Sequence, residues 1–533
     1  MTKRESCPDR YLIDIQVKGK NHMKKSYRQF YHANVLSGWG NDPNGTIFYN
    51  GKAHLFFQHY PYKPEWGIMH WGHFVTEDFI HWENLPLALE PLEDYEEICG
   101  CCSGSAIEKD GKLYLMYTAA QPELQRQCIA VSEDGGIHFE KDPGNPIVTA
   151  DQISPEIAMR DFRDPRVFLK DGVYYMLAGA RVRDIRDGEP VPELPVRKPG
   201  PVSSPSLGDV TDIDPKIYGY GNLVLLKSDD LYHWSYVGKL LYNQEEYSEE
   251  FYHLNGVYEC PDYFVIDGTE VVLASPQNLP QTGNHYQNIH SGLYMLGNLD
   301  FETGRFQVSY IGEADSGFDF YAAQTLRMPD DRVIMIAWKE MWDRSFPTRE
   351  EGWAGTYTLP RELSVEEGRL IQRPVREIKQ YRKNHVSAGP VQCTDACVNL
   401  AGISGNVVEI KAEIETGSAE KCGLKVFCSE QHETLIYYDR KEKALVFDRS
   451  RSGIKISGKD TVTQKRYLDI GEPEKITLDL FLDVCSLEVF VDGGKHVMTG
   501  NVYPDIDTDI EVRFFAENGT AALSAIEKYD ICV

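Results

Sequence analysis

Residues 38–57 read GWGNDPNGTIFYNGKAHLFF, a run that combines a candidate reactive site with a strand–turn–strand unit. The apolar segments 46–49 and 53–57 are separated by Asn50-Gly51, a pair suited to the positive φ angles of a two-residue hairpin turn. Asp42 stands just before this hairpin and is followed by Pro43, which fixes the backbone. On this stretch alone, Asp42 is either a turn-capping residue or a rigidly placed reactive carboxylate.

The same hairpin form recurs along the chain. Further copies lie at 105–117, 166–177, 262–274 and 324–337, with polar turns at Asp110-Gly111, Asp171-Gly172, Asp267-Gly268 and Asp330-Asp331. Outer segments that carry an aromatic residue follow four of the five hairpins, as in Asp78-Phe79-Ile80-His81-Trp82. Repeated four-stranded units of this kind are typical of propeller blades, so the pattern predicts an all-β, five-bladed β-propeller. A sandwich of unrelated hairpins is the alternative.

The hairpin pattern ends near residue 363, and short alternating strands resume after a probable linker helix at 374–381. We therefore expect an N-terminal extension at 1–26, the propeller at 27–365, a linker with a short helix at 366–392 and a C-terminal β-sandwich at 393–533. A Pro-, Asp- and Ser-rich insertion at 183–217 is predicted to be an extended loop.

Composition restricts the partners. The net charge of -27 argues against nucleic acid or an anionic membrane surface as a main partner. The sequence has neither an apolar leader segment nor a run long enough to span a bilayer, and its twelve cysteines lack zinc-site spacing. We expect a cytoplasmic protein with reduced thiols, without a metal or cofactor, and we leave a homo-oligomer open.

Aligning the repeats on their turns places three carboxylates at one position. Asp42 lies eight residues before Asn50, Asp164 seven before Asp171, and Glu259 eight before Asp267; Ser103 holds the equivalent place in the second repeat. The innermost strands of a propeller line its central channel, so these side chains are expected to converge on one axial pocket.

Carboxylates packed together suit general acid and nucleophile chemistry, because like charges raise at least one pKa. Glycoside hydrolysis needs such a pair. Arg163 offers a cation that would keep Asp164 ionised. Nearby aromatic residues suit the apolar faces of sugars, although each taken alone is more simply a core residue; they are Trp39, Trp66, Trp71, Tyr258, Tyr321 and Trp338.

Together these residues resemble glycoside hydrolase family 32, the invertase, levanase, inulinase and sucrose-6-phosphate hydrolase family. The resemblance rests on motifs spread over nearly the whole chain, among them NDPNG at 41–45, WGH at 71–73, RDP at 163–165, ECPD at 259–262, GFDFYA at 317–322 and LPREL at 359–363. It implies a propeller followed by a sandwich, and retaining hydrolysis of terminal β-D-fructofuranosyl residues of sucrose, sucrose-6-phosphate or short fructo-oligosaccharides.

The resemblance also implies residue roles. Asp42 would be the nucleophile, Glu259 the acid/base and Asp164 a stabiliser that bonds fructose hydroxyls, with the two reacting carboxylates about 5 Å apart. The fructose subsite would be lined by Asn41, Gln58, Trp66, Ser103, Arg163 and Asp319. We add Trp39, Cys102, Tyr321 and Trp338 as candidate substrate-binding residues.

The chain departs from the family pattern at three positions. Gly40 stands where Met or Leu is usual, Cys102 where Phe is usual, and Tyr258 where Trp often precedes the glutamate. Smaller side chains at Gly40 and Cys102, with the 183–217 insertion, suggest an altered leaving-group side. Arg181, Arg183 and Arg186 could contact a substrate phosphate, but a solvated charge run is the simpler interpretation.

Two other functions use the same fold. A fructosyltransferase would employ the same residues but prefer a sugar over water as acceptor, and the sequence does not separate the two. A non-catalytic fructan-binding propeller would have no need for three converging carboxylates.

Overall fold

The computed structural model describes residues 26–121, 123–183, 219–241, 257–458 and 463–533. The N-terminal extension up to residue 25 and residues 184–217 of the insertion, including Arg186, lie outside the described residues. The described chain is β-structure almost throughout, in a five-bladed propeller followed by a sandwich-like sheet, which confirms the expected fold class.

Each blade is an antiparallel sheet of four strands in chain order, innermost strand first. Blade 1 consists of Gly38–Tyr49, Lys52–Tyr60, His70–Thr76 and Glu83–Leu89. Blade 2 consists of Gly100–Lys109, Lys112–Gln121, Leu124–Ser132 and Glu140–Lys141. Blade 3 consists of Ile157–Lys170, Val173–Val182, Tyr220–Ser228 and Ser235–Lys239. Blade 4 consists of Tyr258–Ile266, Thr269–Pro276, Leu293–Leu299 and Phe306–Glu313. Blade 5 consists of Tyr321–Arg327, Val333–Trp338, Arg361–Glu366 and Arg369–Pro374.

The hairpin turns have the backbone that their residues demand. In the first turn, Asn50 and Gly51 have φ angles of 49° and 82°, and the Asp-Gly turns of blades 2 to 4 repeat this pair of positive angles. Blade 5 differs, because its turn spans the five residues between Arg327 and Val333. The repeated turn residues in the sequence therefore predicted the positions of four of the five inner hairpin turns to the residue.

The ring is closed by backbone pairing between the two ends of the propeller. The innermost strand of every blade contacts those of both neighbouring blades, and that of blade 5 contacts that of blade 1. Before blade 1, Val35 N–H donates to Gly355 O at 3.1 Å, and the short strand Trp353–Ala354 pairs in parallel with Gly38–Trp39. This closure covers the edge of the first blade's inner strand at its first two residues.

A 3-10 helix at Arg376–Tyr381 joins the propeller to the second domain. Other 3-10 helices lie at Asp94–Glu96, Ala150–Gln152, Pro347–Glu351 and Asp492–Gly494, and a two-residue strand pair joins Arg344–Ser345 to Ser457–Gly458. Among the described residues, there is no helix with the length and apolar character needed to cross a membrane.

The second domain is one eleven-stranded sheet wrapped around its own apolar core. Its strands are Arg382–Ala388, Val391–Ser404, Val407–Glu415, Lys421–Cys428, Glu433–Asp439, Ala444–Arg451, Lys465–Asp469, Lys475–Asp483, Ser486–Val491, His496–Asn501 and Glu511–Ile531. The last of these pairs with four other strands and so ties the sheet together.

Buried charges fasten the two domains to each other. The imidazole of His32 lies between Asp483 Oδ2, at 2.7 Å, and Glu488 Oε1, at 2.9 Å. Arg361 of blade 5 donates to Glu488 Oε2 at 2.8 Å, so one sandwich carboxylate binds two propeller cations when His32 is protonated.

Free thiols occur at ten described cysteines, whereas Cys532 is in a disulfide, so the expectation of reduced thiols is wrong at that residue.

Candidate active site

A β-bulge interrupts the innermost strand of each blade near its beginning. In blade 1, Gly40 pairs with His59 and Pro43 with Phe57, so Asn41 and Asp42 together stand opposite a single residue. The inner strands of blades 2 to 5 shift register at equivalent points, after Cys102, Arg163, Glu259 and Tyr321. Bulges redirect side chains, and Asp42, Ser103 and Asp164 lie in or beside three of these five bulges.

Three of the bulges hold a non-glycine residue in the left-handed region. Asp164 has a φ angle of 61°, Cys260 of 47° and Ala322 of 57°. Such conformations are costly for residues with a side chain and cluster where a site demands a particular geometry. Their recurrence at equivalent places in blades 3, 4 and 5 indicates that the backbone is shaped for the pocket.

The carboxylate of Asp42 uses one oxygen for hydrogen bonds and leaves the other open. Oδ2 accepts from Ser103 Oγ at 2.8 Å and from the Cys260 thiol at 3.4 Å, whereas Oδ1 is buried without a partner. Burial, followed by the charge of Glu259, raises the pKa of Asp42 to about 6, and the bonds from Ser103, Asn41 and Cys260 oppose this rise.

Asp164 is held by the same cysteine. Its Oδ2 accepts from the Cys260 backbone N–H at 2.9 Å, and its own N–H donates to Thr118 Oγ1 at 2.9 Å. Burial raises the pKa of Asp164 above its ordinary value; the nearby Arg163 opposes this, and the charges of Glu259 and Asp42 add to it. Arg163 therefore favours the ionised form of Asp164, as expected, although burial and the charges of Glu259 and Asp42 act against it.

Glu259 has a full set of partners. Arg163 donates to Oε1 from Nη2 at 2.9 Å and from Nε at 3.1 Å, and the Tyr321 hydroxyl donates to Oε2 at 2.6 Å. Arg163 also reaches Asp161 Oδ1 at 3.2 Å. The guanidinium group of Arg163 thus makes two hydrogen bonds to Glu259, a geometry that the single ammonium of a lysine could not reproduce.

The structure brings Asp42, Asp164 and Glu259 to one place, around Cys260. The thiol of Cys260 lies 3.4 Å from Asp42 Oδ2 and 3.8 Å from Asp164 Oδ2, and Glu259 precedes it in the chain. The charge of Glu259 raises the pKa of both Asp42 and Asp164, because like charges this close disfavour ionisation.

Other predicted site residues line the same region of blades 1 and 2. Trp39 Nε1 donates to Asn41 Oδ1 at 2.7 Å, and Gln58 Nε2 donates to Cys101 O at 3.0 Å. The thiol of Cys102 packs against Cys99 and Ala120. Trp39, Asn41 and Gln58 are almost fully buried, and the bond from Trp39 fixes the side chain of Asn41 next to Asp42.

The predicted aromatic residues divide into two groups. Tyr321 contacts Glu259, and Trp338 meets Trp39 edge to face with the ring centroids 5.7 Å apart, whereas Trp66 is only half-buried beside the blade 1 core. Trp71 and Tyr258 belong to the apolar cores between blades. Trp71 packs in the core between blades 1 and 2, and Tyr258 in the core between blades 3 and 4.

Asp319 is not brought to the carboxylates. Its Oδ2 accepts from Arg449 Nη1 and from the Asn501 N–H, both at 2.8 Å, and its Oδ1 pairs with Arg344 Nη1 at 2.5 Å. Both oxygens are occupied and the side chain is wholly buried at the junction with the sandwich. The prediction that Asp319 lines the fructose subsite therefore gives way to a role in holding the domains together.

The alignment of the repeats missed two residues that contact the carboxylates. Cys260 follows Glu259 directly, and its proximity to all three carboxylates could have been inferred from the bulge it occupies. Thr118 supports Asp164 from the second strand of blade 2, where no motif marks it. The interpretation of Arg181, Arg183 and Arg186 as a solvated charge run is wrong for Arg181, which is fully buried and donates to Asp161 Oδ2 at 3.2 Å; Arg183 donates to Pro155 O at 2.9 Å.

Comparison with known proteins gives consistent relatives over the full length. The chain is 33% identical over 536 residues to a sucrose-6-phosphate hydrolase of Zymomonas mobilis, covering 97% of this chain and 95% of that protein. It is 30% identical to a levanase of Bacillus subtilis over 550 residues, covering 95% of this chain and 70% of that protein. A sucrose-6-phosphate hydrolase structure from Lactobacillus gasseri superposes with a TM-score of 0.76 at 28% identity, covering 95% and 93% of the two chains. A Bombyx mori β-fructofuranosidase superposes with a TM-score of 0.72 at 28% identity, covering 95% and 94%.

Family profiles match both domains. The N-terminal domain of glycosyl hydrolases family 32 matches residues 32–189 and 215–374, and the C-terminal domain of the same family matches residues 377–530. With three carboxylates converging in the propeller and relatives at this level of identity, the chain belongs to glycoside hydrolase family 32 and is a glycoside hydrolase.

Proposed function

We propose that the protein is a retaining β-fructofuranosidase, with Asp42 as nucleophile, Glu259 as acid/base and Asp164 as stabiliser of the bound fructosyl unit. The observation that carries the proposal is the convergence of these three carboxylates around Cys260. Family membership supports the reaction class, and the relatives named for fructoside hydrolysis support the substrate class.

In the first step, Glu259 gives its proton to the glycosidic oxygen while Asp42 attacks C2 of the fructosyl unit. The C2–O bond breaks, the leaving sugar departs as an alcohol, and an ester forms between C2 and Asp42. Oδ1 of Asp42 suits this attack because it has no hydrogen-bond partner, while Oδ2 is held by Ser103 and Cys260. Bonds to one oxygen orient the carboxylate without blocking the other.

In the second step, Glu259 takes a proton from water, the resulting hydroxide attacks C2, and Asp42 leaves as a carboxylate. Arg163 and Tyr321 hold Glu259 in place for both proton transfers. Asp42, Asp164 and Glu259 must together carry one proton when substrate binds, because the first step consumes it. The raised pKa values of Asp42 and Asp164 support the presence of such a shared proton near neutral pH. Asp164 is positioned by Cys260 N–H and is free to bond fructosyl hydroxyls through its remaining oxygen.

We propose sucrose, sucrose-6-phosphate or short fructo-oligosaccharides as substrates, cleaved from the non-reducing end. The relatives include proteins named sucrose-6-phosphate hydrolase, raffinose invertase and levanase. The substrates in these names share a fructosyl unit, which favours that unit as the part that the site recognises. Since Arg181 is buried in an ion pair with Asp161, a phosphate contact through that residue has no support. We further propose that the protein binds no nucleic acid, because its strong negative charge repels phosphates, and that it acts in the cytoplasm.

The test compares fructose release from sucrose, sucrose-6-phosphate, kestose and inulin by the wild type and by Asp42→Ala and Glu259→Ala. We expect the wild type to release fructose from at least one of them, and each variant to lose at least about a thousandfold in kcat. A wild type as inert as the variants, yet still able to bind sugar, would favour a non-catalytic binding protein. Fructosyl oligomers exceeding free fructose at low sucrose would favour the transferase.

A further inference from the structure

The loop between the second and third strands of blade 5, residues 339–360, begins beside the candidate active site. It follows Trp338, which pairs across the inner hairpin with Tyr321. The Tyr321 hydroxyl in turn donates to Glu259 Oε2 at 2.6 Å. The loop therefore starts at the level of the carboxylates, on the face of the propeller where the inner strands begin.

Three tryptophans connect this loop to the inner strand of blade 1. The ring centroids of Trp39 and Trp338 lie 5.7 Å apart, those of Trp39 and Trp342 5.9 Å, and those of Trp338 and Trp342 5.1 Å. Trp39 also donates to Asn41 Oδ1 at 2.7 Å, and Asn41 directly precedes Asp42. Trp39 and Trp338 are buried, whereas Trp342 is partly exposed. The aromatic cluster thus extends from the neighbour of the proposed nucleophile to solvent.

The guanidinium group of Arg349, in the same loop, lies over the Trp39 ring with Cζ 5.2 Å from the ring centroid. Its Nη2 donates a long hydrogen bond to Arg344 O at 3.4 Å, and its Nε has no hydrogen-bond partner among the described residues. None of the carboxylates that the structure describes forms an ion pair with it. A guanidinium stacked on an aromatic ring keeps its N–H groups in its own plane, where they can bind an anion.

Two other arginines near the site already have counter-ions. Arg163 donates from Nη2 to Glu259 Oε1 at 2.9 Å, and Arg344 pairs with Asp319. Both arginines are almost wholly buried, whereas Arg349 is partly exposed. In a chain with a net charge of -27, Arg349 is therefore a cation near the carboxylates that an anionic ligand can reach and pair with.

Two uncharged groups lie beside this cation. Burial raises the pKa of Glu340 to about 8, so its carboxyl is mostly protonated at neutral pH and does not neutralise Arg349. Trp342 Nε1 is buried and finds no acceptor in the described part of the chain, so it offers a second donor against the Trp39 ring. Buried donors are nearly always bonded, and an unpaired one calls for a ligand or another partner.

We propose that Arg349, assisted by the indole N–H of Trp342, binds a phosphate on the leaving sugar and so makes sucrose-6-phosphate a better substrate than sucrose. The inference rests on the proposed function, because it takes Asp42 to hold the fructosyl half. Arginine binds phosphate through paired, charge-assisted hydrogen bonds, and its charge offsets the repulsion that a phosphate meets from the carboxylates. The Trp39 ring contacts both Arg349 and Asn41, which sets the cation one ring away from the fructosyl unit, where the second sugar would lie.

The experiment measures kcat/KM of the wild type, Arg349→Gln and Arg349→Lys on sucrose-6-phosphate and on sucrose. We expect the wild type to favour sucrose-6-phosphate at least about tenfold, because hydrogen bonds between charged groups are the stronger kind. Arg349→Gln should lower kcat/KM about thirtyfold on sucrose-6-phosphate and less than about threefold on sucrose. Arg349→Lys should fall between the two, because it keeps the charge but not the paired bonds.

A binding measurement on the wild type does not depend on the variants. Glucose 6-phosphate, the product released from the leaving side, should inhibit sucrose cleavage competitively, and glucose at the same concentration should inhibit much less. Arg327→Gln is the matched control, since Arg327 is an exposed arginine at the opposite end of the blade 5 inner strand. It should keep the wild-type ratio between the two substrates, and thermal unfolding of all variants reports any general damage.

Three results would overturn the inference while leaving the proposed function standing. They are a wild type that cleaves the two substrates equally well, a preference for sucrose-6-phosphate that survives Arg349→Gln, and equal losses on both substrates in that variant. The last result would mean that Arg349 only supports the packing of Trp39. A wild type inert on every fructoside would overturn both the inference and the proposed function.

Discussion

The thiol of Cys260 donates a hydrogen bond to Asp42 Oδ2 at 3.4 Å, across 218 residues of sequence. The same residue gives its backbone N–H to Asp164 Oδ2 and stands next to Glu259 in the chain. A single left-handed residue in the blade 4 bulge therefore joins the inner strands of blades 1, 3 and 4. The proposed acid/base, nucleophile and stabiliser are thus linked through one residue.

Removing the Ser103 hydroxyl should shift the pH profile of the enzyme. Ser103 donates to the ionised form of Asp42 and so lowers a pKa that burial has raised to about 6. In Ser103→Ala, Asp42 would bind its proton more tightly, and the acidic limb of kcat/KM should move to higher pH than in the wild type. Ser132→Ala, which removes a buried hydroxyl from the outer part of blade 2, is the control and should keep the wild-type limb. An unchanged limb in Ser103→Ala would contradict the assignment of that limb to Asp42.

Neutralising Asp42 should stabilise the protein at neutral pH. The folded-state pKa of Asp42, about 6, lies above the ordinary value of 3.8, so the ionised carboxylate disfavours the folded state above pH 6. Asp42→Asn removes this penalty and should raise Tm at pH 7.5. The gain should shrink as the pH falls below 6 and vanish below the ordinary value, where Asp42 is protonated in both states. A lower Tm at pH 7.5 would show that the Ser103 and Cys260 bonds outweigh burial.

Asp319→Asn should behave in the opposite way. Asp319 pairs with two buried arginines, Arg344 and Arg449, and losing its charge leaves both guanidinium groups without a counter-ion. We expect a loss of about 3–5 kcal/mol in the free energy of unfolding, measured in denaturant, with kcat/KM for fructose release close to that of the wild type below the transition. A fall in kcat/KM comparable to that of Asp42→Ala, with unchanged stability, would restore Asp319 to the fructose subsite.

The outcome for Asp319 shows which features could be predicted from the sequence and which could not. Turn pairs such as Asp110-Gly111 carry their own geometry, so the hairpins, the blade count and the alignment of Asp42, Asp164 and Glu259 could be predicted from local chemistry. Asp319 lies in a recognisable motif, but its partners Arg344 and Arg449 are brought to it by domain packing, which no local pattern reveals. Arg163 shows the same limit, because its adjacency to Asp164 in sequence does not reveal that its guanidinium donates to Glu259 and Asp161 in space.

Gly40→Ala should destabilise the protein through a clash with Val35. The new Cβ would lie 2.4 Å from Val35 Cγ1, well inside van der Waals contact, and overpacking of this kind costs about 1–3 kcal/mol. Trimming the opposing side chain relieves the clash, so Gly40→Ala should cost less in the Val35→Ala background than in the wild type, as measured by unfolding in denaturant. Strictly additive effects of the two substitutions would show that the strain arises elsewhere.

The most direct test of the central claim is the stereochemistry of fructosyl transfer to methanol. If Asp42 forms an ester with C2 on one face and an alcohol then replaces it from the other, two inversions restore the original configuration. Cleavage of sucrose in aqueous methanol should therefore give methyl β-D-fructofuranoside, identified by NMR, alongside free fructose. Formation of the α-anomer would contradict the two-step mechanism with Asp42 as nucleophile and Glu259 as acid/base.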